Sequence, residues 1–128
     1  MDPSTRRIGL TAYQMRGLSK GDGRYLIVED RGGWRKPRSF GTFDTAEQAI
    51  ERAASLPLDA LCVLDLHRTA EPTIWWKERY AVCRERRFFP RTLYDTPDLD
   101  AAMTFARSAG SGVVVIDKNE GRLVWRGP

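Results

Sequence analysis

A chain of 128 residues with a formal charge of +4 has room for one compact domain or two small, tightly packed ones. Its 41% hydrophobic and 30% charged content is that of an ordinary globular protein, and no apolar run approaches the roughly 20 residues of a membrane-spanning helix. Two cysteines, Cys62 and Cys83, cannot build a disulfide framework, and residues 1–7 lack the apolar core of a secretory signal, so a reduced cytoplasmic protein is expected.

In chain order, residues 1–23 read as an N-terminal arm with an extra strand. Residues 1–7 should fray. Between Ile8 and Leu18, the alternation of Ile8, Leu10 and Ala12 suits a strand, whereas Leu10, Tyr13 and Leu18 would line a helix; the strand is preferred. Ser19 to Gly23 is a turn. Tyr25 to Asp30 is apolar on both faces and should be a covered central strand. After the turn Arg31-Gly32-Gly33 the chain returns antiparallel near Arg38–Phe43. Thr45 and Gln48 have capping-box spacing, and Ala46, Ala49, Ile50 and Ala53 fall on one helical stripe that ends by Pro57. Ala60 to Leu66 and Thr73 to Trp76 complete this half as strands.

The second half repeats the pattern. Tyr80–Arg84 and Phe89–Tyr94 form a hairpin, Thr96 is the expected N-cap with Pro97 at the first helical position, and Leu99, Ala102, Met103 and Ala106 form the buried stripe. Gly110 or Gly112 ends the helix, and Val113–Asp117 with Arg122–Trp125 closes the chain as a hairpin. Phe43-Asp44-Thr45 matches Tyr94-Asp95-Thr96, the strand from Arg24 matches that from Arg79, Asp65 matches Asp117, and Trp75 matches Trp125. The expected fold class is therefore α+β: an internal duplication of a strand–strand–helix–strand–strand unit, with antiparallel sheets and one helix per repeat. The repeats span 24–77 and 78–128. Because the joint at Lys77-Glu78 is too short for a flexible linker, they are expected to share a core about a pseudo-twofold axis.

Charge is unevenly placed along the chain. Residues 1–40 hold nine Lys/Arg against four acids, residues 41–76 two against six, and residues 77–128 ten against seven. The basic excess concentrates on the two hairpins. The first carries Arg31, Trp34, Arg35, Lys36 and Arg38; its counterpart carries Arg84, Arg86, Arg87, Phe88, Phe89 and Arg91. Guanidinium groups present a planar fork of donors to phosphate, and interleaved aromatics stack on bases. Lys and Arg also keep strand edges soluble and unpaired, and Glu29, Asp30 and Glu85 lie close by. Trp75 and Trp125 are expected in packing, Trp76 and Trp34 as exposed anchors of an interface.

Catalytic and metal patterns are not found in the sequence. His67 is the single histidine, without a Cys or Ser partner, and one His with two separated Cys cannot make a four-ligand zinc site. Asp65 and Asp117 each precede a turn, where Asp is locally favoured. No enzyme, cofactor or metal is expected.

Residues Gly41-Thr42-Phe43-Asp44-Thr45-Ala46-Glu47-Gln48-Ala49, with Arg52-Ala53-Ala54, resemble the strand-to-helix junction of ethylene-response-factor-type DNA-binding domains. Similar three-strand-plus-helix modules form phage-integrase arms. The resemblance covers 41–54 and extends at most over 9–54. It implies a sheet followed by a helix, with the sheet in the major groove. The base-contacting Arg and Trp of that family fall here on Ile27, Glu29, Pro37 and Ser39, so those contacts are not carried over. The final hairpin is also similar to small bacterial strand–strand–helix–strand–strand domains.

Together these features point to a small cytoplasmic binding module whose paired basic hairpins grip nucleic acid or a nucleoprotein complex. The alternative is a phage- or mobile-element-encoded inhibitor, anti-CRISPR-like, that acts on a bacterial protein complex by protein–protein contact.

Overall fold

The computed structural model describes residues 21–31, 37–68, 70–86 and 90–127. The expected arm and the strand or helix over Ile8–Leu18 lie outside them. The chain divides into two compact units that meet in sequence at Lys77 and Glu78.

The first unit runs β1 (Tyr25–Glu29), β2 (Arg38–Phe43), α1 (Ala46–Ser55), β3 (Leu61–Asp65) and β4 (Thr73–Trp76). The second repeats it as β5 (Tyr80–Arg84), β6 (Arg91–Thr96), α2 (Leu99–Ala109), β7 (Val113–Asp117) and β8 (Arg122–Arg126). The sheets are ordered β2-β1-β3-β4 and β6-β5-β7-β8, antiparallel throughout. In each, the strands before and after the helix flank the same central strand and run parallel to one another. Their connection must cross that central strand, and the helix makes the crossing while covering one sheet face. The fold is α+β with a duplicated unit.

Burial follows from this geometry. Strand β1 sits between two neighbours beneath α1, and Leu26, Ile27 and Val28 are fully buried. On the helix side Ile27, Leu61 and Val63 pack on Ala49 and Ala53, with half-buried Phe43 and Trp75 beside them. Val82, Val113 and Val115 do the same on Ala102 and Ala106, with Met103 and Trp125. Trp75 and Trp125 hold the same register, opposite Val63 and Val115. Small alanines let each helix lie close to its sheet, the purpose of the sequence's Ala stripe.

Four sequence expectations need correction. Thr96 is not the N-cap of α2: its Oγ1 accepts from the Asp98 backbone N–H at 3.2 Å, and Asp98 caps the helix by accepting from Asp100 N–H at 3.1 Å. Pro97 therefore precedes the cap. Leu99 becomes the first helical residue, the place Ala46 holds in α1, and stays exposed rather than joining the stripe. The matched pair is thus Thr45 with Asp98, not Thr45 with Thr96; Tyr25 faces Phe43 where Tyr80 faces Thr96. Thr45 itself caps α1, accepting from Gln48 N–H at 3.2 Å. Trp76, expected as an exposed anchor, is only 8% exposed and packs with Leu26, Val28, Cys62 and Leu64 on the sheet face away from α1. Alternation put it opposite Trp75 as expected, but that second face is buried as well.

Candidate nucleic-acid interface

Both hairpins end at equivalent ladder positions, with Glu29 opposite Arg38 and Arg84 opposite Arg91 as the last pairs. Their chemistry differs at those positions. In the first unit the Glu29 carboxylate, 4% exposed, faces Arg31 at 3.4 Å and Arg38 at 3.7 Å. The Arg38 guanidinium also lies 5.5 Å from the Phe40 ring centre. Much of the positive field of these two arginines is therefore spent on a buried carboxylate of their own unit.

In the second unit an arginine stands where Glu29 stood. Arg84 reaches back to the end of α2, donating to the carbonyls of Ala109 at 3.1 Å and Ser111 at 3.2 Å. A guanidinium there satisfies orphan carbonyls and complements the negative end of the helix. Glu85, the acid next to Arg84 and Arg86, pairs with Arg126 at 2.9 Å. Arg86 and Arg91 are exposed and have no ion-pair partner among the described residues. Of the other predicted residues, Trp34, Arg35, Lys36, Arg87 and Phe88 lie outside the described residues, and Trp76 lies in the core.

A pair of clasps went unrecognised in the sequence. Arg24 Nε and Nη2 donate to Asp65 Oδ1 and Oδ2, both at 2.9 Å, and Arg79 grips Asp117 in the same way at 2.7–3.0 Å. Each aspartate also closes the turn behind its strand: Asp65 accepts from His67 N–H, and Asp117 from Asn119 and Glu120 N–H. The Arg24 hydrogen bonds hold the Asp65 carboxyl below its ordinary value in spite of desolvation. At Asp117 burial pushes the carboxyl up, but Arg79 and the two backbone donors outweigh it and the net shift is downward. The available signal was the recurrence of Arg-Tyr before one central strand and Asp after the other, in both halves.

Among the described residues no group of three or more His, Cys, Asp or Glu could hold a metal, and no helix is long and apolar enough to cross a membrane. No family model, curated protein or solved structure matches the chain.

Proposed function

We propose that the chain is a small, non-enzymatic, cytoplasmic binding module that engages nucleic acid or a nucleoprotein complex through its basic hairpins, the second foremost. The observation that supports this reading is the base of that hairpin. Arg84 and Arg91 stand opposite each other, Arg86 is exposed beside them, and the neighbouring acid Glu85 is diverted to Arg126. Exposed guanidinium groups without a local carboxylate are the ones able to release counterions from a phosphate backbone. In the test, binding of the full chain to single- and double-stranded DNA and RNA is measured at two salt concentrations. Reversing Arg86 and Arg91 to Glu should weaken binding and flatten the salt slope by about 1–2. Reversing Arg31 and Arg38 should do less, because Glu29 already occupies them. Absence of binding to all four ligands at low salt overturns the reading.

A second reading, an inhibitor acting by protein contact, is favoured by exposed apolar side chains on the second unit. Tyr94 and Phe105 stack in the open, each 37% exposed, and Leu123 on β8 is 47% exposed.

A further inference from the structure

Matched by register, the two helix-bearing faces correspond closely. The caps Thr45 and Asp98 and the buried pairs Ala49/Ala53 and Ala102/Ala106 follow at the same spacing. So do two serine hydroxyls, with Ser55 donating to Arg52 O and Ser108 to Phe105 O, each at 2.8 Å. In this frame Gly41 stands where Tyr94 stands, and Arg52 where Phe105 stands. The second unit fills the place with its own rings, Tyr94 and Phe105, stacked with centroids 4.9 Å apart and planes at 25°.

The first unit has no such pair. Gly41, at φ +100, adopts a backbone conformation that favours glycine, and a Cβ added there would meet nothing within 4 Å. A groove of about 400 Å³ opens against α1, lined by Phe43, Gln48, Glu51, Arg52 and Ser55. Residues 41–55, which supply its lining, carry three exposed acids, Asp44, Glu47 and Glu51, against the one cation Arg52. That balance repels a phosphate and attracts a basic peptide.

We propose that this groove takes an aromatic side chain from a basic segment of a partner protein, its ring against the Arg52 guanidinium as Tyr94 lies against Phe105. Arginine stacks on aromatic faces, so Arg52 serves as the lower jaw in place of a ring. Gln48 and Ser55 offer hydrogen bonds to a polar tip, and Glu51 meets a flanking Lys or Arg. The site stands independently of what the basic hairpins bind.

The test is an amide-shift titration of the isotope-labelled full chain with acetyl-Lys-Trp-Lys-amide, acetyl-Lys-Ala-Lys-amide and AMP. The tryptophan peptide should bind saturably, moving the amides of Phe43, Gln48, Glu51, Arg52 and Ser55, with the alanine peptide about tenfold weaker. Arg52→Phe should tighten the tryptophan peptide by about threefold to tenfold, since a second ring then offers the stack seen in the other unit. Glu51→Lys should loosen it. Both positions are exposed, and unshifted strand amides in the variants confirm that the fold is kept. Equal binding of the two peptides, no shift with either, or AMP moving the same amides at lower concentration overturns the proposal; the last outcome would make the groove a nucleobase site.

Discussion

The two units share a helix-covered face and differ on the other. Away from α1 the first unit packs Leu26, Val28, Cys62, Leu64 and Trp76, with Leu66 against them. Away from α2 the second packs the smaller Ala81, Cys83 and Val114, with Ile116. Leu66 and Lys118 occupy matching places, since their N–H groups donate to the carbonyls of Arg24 and Arg79. Where Leu66 adds apolar surface, Lys118 buries an ammonium against Asp95, Nζ to Oδ1 at 2.8 Å, with 1% of its side chain exposed. Asp95 in turn takes the ladder position of Thr42. One frame therefore accepts either an apolar or an ionic filling on this face, provided the helix side keeps its alanines and β-branched residues.

Substitutions at Trp76, Arg126, Lys118 and Asp95 sharpen that contrast. Trp76→Ala should cost about 3–5 kcal/mol, whereas Arg126→Ala, at the corresponding place opposite Val114, should cost less than about 1 kcal/mol because its ion pair is exposed. Denaturant midpoints decide it, and equal losses would mean that the faces are not different in kind. Lys118→Ala should cost about 3 kcal/mol by leaving Asp95 without this cation, while Lys118→Leu with Asp95→Thr, the residues of the first unit, should cost less than either single change. A double-mutant cycle reads the coupling. The clasps, where the units agree, should respond more mildly than the buried Lys118–Asp95 pair. Both aspartates have depressed folded values, so their stabilisation is present above the ordinary carboxylate value near ~3.9 and is lost as pH falls through the folded value. Asp65→Asn or Asp117→Asn should cost about 1–2 kcal/mol at neutral pH and progressively less in acid, flattening the acid limb of the stability curve.

Much of the architecture was legible because both periodicities are strong. The near-continuous apolar runs of β1, β3, β5 and β7 mark central strands, and the Ala stripes of α1 and α2 mark covered helices. What misled was local similarity. Asp-Thr recurs at 44–45 and 95–96, but the second copy lies two residues out of step with the structural match. Strand side chains repeat every two residues, so the slip leaves each residue on its proper face and the pattern cannot expose it. Trp76 was misread because alternation says which face a residue takes, and nothing in Thr73–Trp76 says that both faces are buried. The candidate site was legible as charge alone. That Glu29 is buried facing Arg38, that Arg84 serves the end of α2, and that Phe43 and Arg52 line one groove all depend on partners apart in sequence.

The clasps bear on the order in which the chain acquires its structure. Arg24 and Asp65 are 41 residues apart, Arg79 and Asp117 38. A hairpin and the helix that follows it form from neighbours, but the central strand gains its second partner only when that long loop has closed, at an entropic cost that local contacts must already offset. An ion pair made after the folding barrier has been crossed stabilises the native state without speeding its formation. Its strength then governs how long each unit lasts once formed rather than how quickly it is reached.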